Sequence, residues 1–140
     1  MSKLLKHDWH DESINWLEED LQHAIIMRMR QRKEHGDLFR IVGDMNAGKR
    51  NKTTGARLKA AGMQTGEPDM RIYVHGGFTV FVELKRGTGK VSDAQDAWHD
   101  VLADLGFDVW LLRAKTPADA VEKMHGIVDS ILMKYQYFEE

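Results

Sequence analysis

The chain has no cysteine, which excludes a disulfide scaffold and thiolate chemistry and leaves oxygen or imidazole as the only ligands for a metal. It has only 2 prolines, too few for a proline-rich linker, and no internal repeat. Its longest apolar runs, such as Val109-Trp110-Leu111-Leu112, fall far short of the roughly 20 residues of a membrane span. The first residues are polar and rich in His and Asp, unlike a secretory leader, so a cytoplasmic location without membrane attachment is expected. Neither sign of charge dominates: 20 Lys+Arg stand against 22 Asp+Glu, a net of -2 that by itself suggests no nucleic-acid partner. What is present is enough for a folded body. At 140 residues, 42% hydrophobic and 30% charged, the chain fits one domain over 1–140 with a real core. Seven histidines are scattered without a zinc-like spacing and read as surface or satisfied side chains.

The small net charge hides a pattern. Residues 1–27 carry -4, residues 28–61 carry +7 and residues 62–140 carry -5. In the middle block Lys49, Arg50, Lys52, Arg57 and Lys59 occur with no acid between Met45 and Thr65. Such a stretch reads two ways, as a solvated loop or as a grip on a phosphate backbone.

Hydrophobic periodicity predicts a helix over about Asp11 to Lys33, with Ile14, Leu17, Leu21, Ala24, Ile25 and Met29 on one stripe. A short strand follows at Leu38–Val42, then the basic Gly-containing loop and a short helix near Ala56–Ala61. Met70–Val74 and Phe78–Lys85 form a hairpin around Gly76-Gly77, a pair that supplies the positive φ of a tight turn. Ser92 with Gln95 three residues on is a capping-box start for a helix that stops at Gly106. Phe107–Leu112 is a further strand, and Thr116-Pro117 opens the last helix as N-cap and first helical residue. The tail Tyr135–Phe138 is apolar enough to pack on the domain or on a second subunit. The order α-β-α-β-β-α-β-α, with a crossover between the last two strands, gives an α/β fold: a mixed sheet flanked by helices.

Side chains alternate along a strand, so Val80, Val82 and Leu84 form a core face while Phe81, Glu83 and Lys85 share the other. An acid and a base there are either a solvent-facing ion-pair face or part of a site. Asp69 opens the partner strand after Gly66-Glu67-Pro68, and it lies about as far from the hairpin turn as Glu83 does. Two carboxylates opposed across a strand pair repel unless a cation lies between them. A hard ion such as Mg²⁺ or Mn²⁺ suits such oxygen ligands, with a backbone carbonyl adding another. Lys85 on the same face could orient an attacking water or stabilise charge on a phosphate.

Pro68-Asp69, thirteen further residues and then Glu83-Leu84-Lys85 resemble the PD-(D/E)xK nuclease superfamily. The Gly66–Asp69 turn, the loop to Ser92 and Gln95, the stop at Gly106 and the final strand resemble more closely the VRR-NUC family, the virus-type replication-repair nuclease domain. The resemblance spans about Trp16 to Ala114 and looks like a stand-alone, phage-type version. It implies a restriction-endonuclease-like core and a divalent-metal-dependent DNA endonuclease. Asp69, Glu83 and the Leu84 carbonyl would hold Mg²⁺ or Mn²⁺, and Lys85 and Gln95 would act on the water. It implies structure-selective cutting of branched or junction DNA by a homodimer. It also implies an acid on the first helix. At about 100° per residue Glu18 falls inside the apolar stripe while Glu19 and Asp20 fall outside it. Glu18 is therefore expected to point inward, as a direct or water-mediated metal contact or as one half of a structural ion pair. Gln95 can cap its helix, reach the site, or do both. The competing class is a non-catalytic nucleic-acid-binding module that retains the nuclease fold.

Overall fold

The computed structural model describes residues 3–44, 57, 60–61 and 66–136. Its elements are α1 (Lys3–Lys6), α2 (Glu18–Met29), β1 (Phe39–Gly43), β2 (Met70–Val74), β3 (Phe78–Arg86), α3 (Asp93–Asp104), β4 (Asp108–Ala114) and α4 (Pro117–Gln136). The sheet order is β1-β2-β3-β4. The first three strands are antiparallel and β4 runs parallel to β3, as a crossover through α3 requires.

Local chemistry accounts for most boundaries. Gly76 and Gly77 take positive φ in the β2–β3 turn. Ser92 and Gln95 form a reciprocal capping box, Ser92 Oγ accepting from the Gln95 amide at 3.1 Å and Gln95 Oε1 from the Ser92 amide at 2.9 Å. At the other end of α3, Gly106 has φ of 96°, and its amide and that of Phe107 donate back to Ala103 and Leu102, a glycine-closed helix end. Thr116 Oγ1 caps α4 by accepting from the Asp119 amide at 3.2 Å. Tyr135 packs on the domain, its hydroxyl 2.8 Å from Asp108 Oδ2 and its ring 4.3 Å from that of Phe78.

The first helix is shorter than its periodicity predicts. It starts at Glu18 instead of Asp11, because residues 11–17 satisfy themselves differently. Asp11 Oδ1 accepts from the Ser13 amide and hydroxyl, a local turn that competes with helix, and the buried Trp16 indole donates to the Asp11 carbonyl. Past Met29 the chain is held by Arg32, which reaches Glu34, His125 and Asp129. The four-residue α1 has no counterpart among the predicted elements.

The two faces of the sheet differ. Val80, Val82, Leu84 and Ile72 pack with Leu21, Ala24 and Ile25 of α2 and Ala120 and Met124 of α4 in one buried cluster. The opposite face carries α3, whose Gln95 bonds Glu83, and Phe107, three residues past its end, meets Phe81 edge-on at 5.3 Å. No helix among the described residues is long and apolar enough to cross a membrane.

Candidate active site

The register pairs Met70 with Val82, so the next residues outward, Asp69 and Glu83, face each other at the end of the β2–β3 ladder. The Asp69 amide donates to Glu83 Oε2 at 3.2 Å, and the Leu84 amide donates to Asp69 Oδ2 at 2.9 Å. Each carboxylate is thus fastened to the other's strand. Gln95 Nε2 donates to the remaining oxygen of Glu83, Oε1. The same side chain caps α3 through its own Oε1, so Gln95 makes both contacts open to it in the sequence.

Glu83 is fully buried, at 0% exposure. Burial, and then the charge of Asp69, push its carboxyl up to about 8, only partly opposed by nearby Lys85. A carboxyl held neutral at physiological pH in the absence of a cation is a poor stabilising element, since it occupies a position where an apolar side chain would cost less. Lys85 lies two residues on, on the same face and opposite Arg113 of β4, and is partly buried.

The turn that delivers Asp69 tolerates little change. Gly66 has φ of 97°, and a Cβ there would lie 2.5 Å from the Ala94 carbonyl oxygen, so only glycine lets this turn rest on the start of α3. Pro68 beside Asp69 is buried.

Glu18 behaves differently from expectation. It is the first residue of α2 and is exposed, and its Oε1 accepts from the Arg86 amide at 3.2 Å, three residues past Glu83. The apolar stripe does not extend to this end, because the helix begins at Glu18 and Leu17 before it is exposed, so Glu18 overhangs the end of the sheet instead of entering the core. Arg86 completes that junction by donating to Asn15 Oδ1 at 3.0 Å and to the Trp16 carbonyl at 2.7 Å.

Two residues at this end of the sheet carry no signal in the sequence. Asp44 follows β1, and its amide donates to the Asp69 carbonyl at 2.8 Å, extending the ladder by one rung. Arg71, on the Asp69 face of β2, holds Asp44 Oδ1 at 3.1 Å, and Gln22 Nε2 holds the Asp44 carbonyl at 3.2 Å. Only the β1–β2 register brings them here, and no local motif marks it. A further residue that sequence reasoning misses, Arg113, donates to the Gly87 carbonyl at 3.3 Å and to that of Gly89, fixing the loop after Lys85.

Of the basic stretch, Lys49, Arg50, Lys52 and Lys59 lie outside the described residues. Arg57 is exposed, and its carbonyl accepts from the Ala61 amide at 3.0 Å, a turn of the short helix predicted there.

The donor set suits a hard divalent ion. Two carboxyl groups oppose each other, and burial beside Asp69 favours the neutral form of Glu83 while no cation offsets its charge. No group of three or more His, Asp or Glu side chains is gathered for a metal among the described residues, so backbone oxygens and water would have to complete a shell.

No protein-family model matches this chain, and no curated protein does. Among solved structures it is similar to a chain described as a "VRR_NUC domain protein", at a TM-score of 0.57 and 18% identity, covering 80% of this chain and 88% of that one. At that identity the likeness shows the fold, and this chain has the fold of that VRR_NUC domain protein.

Proposed function

We propose that the chain is a member of the VRR-NUC family and a divalent-metal-dependent endonuclease that hydrolyses DNA phosphodiester bonds. The observation that carries this reading is the placement of Asp69 directly opposite a fully buried Glu83, with Lys85 on the same face. Asp69, Glu83 and the Leu84 carbonyl would hold Mg²⁺ or Mn²⁺. Once bound, such an ion polarises the phosphate and lowers the pKa of its water. Gln95 fixes the orientation of the Glu83 carboxylate by donating to its Oε1. Lys85 is left to position the attacking water and to offset negative charge growing on the phosphate. Glu18 stands at the strand end, where it supports the site through water. Lys49, Arg50, Lys52, Arg57 and Lys59 hold the DNA backbone and set its register without reading bases.

One site per chain cannot cut two strands at once, so paired incision of a branched or junction DNA calls for a homodimer. The test is a cleavage panel of linear, flap and four-way-junction DNA with Mg²⁺, with Mn²⁺ and with chelator. Metal-dependent cutting that favours branched substrates is the expected result. Absence of cutting with either ion, together with retained DNA binding, would leave the non-catalytic binding module as the answer. Replacing Lys49, Arg50 and Lys52 by Ala should weaken binding and flatten its salt dependence, by about 0.9 in log–log slope for each phosphate no longer neutralised.

A further inference from the structure

β4 is the outermost strand of the sheet, and its far edge has no strand partner among the described residues. Edge strands of soluble domains are normally blunted by charge, proline or a bulge. This one instead presents Val109-Trp110-Leu111-Leu112, with Trp110 37% and Leu111 45% exposed. Beside it runs a groove of about 460 Å³ between β4 and α4, lined by Trp110, Leu112, Gly126, Ile127 and Ser130 and flanked by Arg113 and Lys123.

Gly126 sits inside α4, where glycine costs about 1 kcal/mol relative to alanine. A Cβ placed on it would meet nothing within 4 Å, so no close contact within the described residues requires glycine there. Its missing side chain leaves the groove floor open.

The charges choose among occupants. Both charged residues lining the groove are cations. Lys123 shares an exposed ion pair with Asp119 and donates to the Arg113 carbonyl at 2.6 Å, whereas the Arg113 guanidinium donates to backbone carbonyls and has no carboxylate partner among the described residues. Strand alternation puts Trp110 and Leu112 on the α4 side and Arg113 on the other. A second β4 would bring only Asp108 as an acid, and Asp108 is already held by Lys134 at 2.7 Å and Tyr135 at 2.8 Å.

We propose that the open edge of β4 and the β4–α4 groove receive an extended segment of a partner protein, added as a fifth strand, with apolar side chains facing α4 and acidic ones facing Arg113. This surface borders the Glu83–Lys85 stretch of β3, whose register partners are Leu111 to Arg113, and the inference does not rest on the nuclease reading.

The probe is the blocked hexapeptide Leu-Glu-Val-Glu-Leu-Glu, titrated calorimetrically into the full chain, with Leu-Lys-Val-Lys-Leu-Lys as its charge-reversed control. Saturable binding of the acidic peptide is expected, at least about tenfold tighter than the control, a difference of about 1.4 kcal/mol. Slowed amide exchange over residues 109–113 is expected with it. Gly126→Leu, whose Cβ would meet nothing within 4 Å and whose side chain would enter the groove, should weaken binding at least about tenfold without lowering thermal stability and with DNA cleavage unchanged. No binding, equal binding of both peptides, or full binding by Gly126→Leu would overturn the proposal. So would a wild-type dimer that Gly126→Leu converts to monomer, which would assign the groove to a second copy.

Discussion

β3 serves two purposes on its two faces. Toward α2 and α4 it offers Val80, Val82 and Leu84 to a dry apolar cluster whose burial contributes directly to stability. Toward α3 it offers Phe81, Glu83 and Lys85, and the Glu83 carboxyl there is buried as fully as its apolar neighbours. Among the described residues, the buried polar side-chain atoms without a hydrogen-bond partner, Arg71 Nε and His99 Nε2, also belong to β2 and α3. One face is therefore optimised for folding and the other carries a cost that folding alone does not explain, a cost the proposed site accounts for.

The contrast can be broken by substitution on each face. Lys85→Ala should cut single-turnover cleavage by about 10² to 10⁴-fold, the range for a positioned proton-transfer or charge-stabilising group, while DNA and metal binding persist. Full activity in that variant would sink the assigned role. On the other face, Ile72→Ala should cost about 2–5 kcal/mol in denaturant unfolding and leave the rate constant of surviving folded protein intact.

The pH dependence separates the faces further. Glu83 titrates near 8 in the fold and near 4.5 unfolded, so the folded chain binds the extra proton between those values. The contribution of Glu83 to the stability of metal-free protein is then complete below about 4.5 and is lost as pH rises toward about 8, by up to about 1.4 kcal/mol per unit. Glu83→Gln should flatten that slope in thermal melts, and an unchanged slope would place its origin elsewhere. The smallest effect separates the two contacts of Gln95. Ser92→Ala removes the cap alone, costing about 1 kcal/mol with cleavage nearly unchanged, whereas Gln95→Ala should lower cleavage as well.

What could be read from the sequence was what is encoded locally. The Gly76-Gly77 turn set the hairpin, and counting outward from it placed Asp69 opposite Glu83. The Ser92–Gln95 box and the Thr116-Pro117 start are likewise short-range signals. The start of α2 was obscured because its apolar spacing continues into a segment that Asp11 and Trp16 fold otherwise. Glu18 was misdirected by the same overlong helix. Asp44, Arg71 and Arg113 could not be found, because their positions depend on pairing between β1 and β2 and on a loop resting against β4.

Glu83 is the centre of the proposed chemistry, a carboxyl kept neutral until a cation takes its proton's place. Calorimetric titration of Mn²⁺ into wild type and Glu83→Gln between pH 6 and 9 tests this most directly. The expected result is binding in wild type that tightens about tenfold per pH unit up to about 8 and then levels, and that is absent in the variant. No divalent binding in wild type, or equal binding in Glu83→Gln, would contradict it.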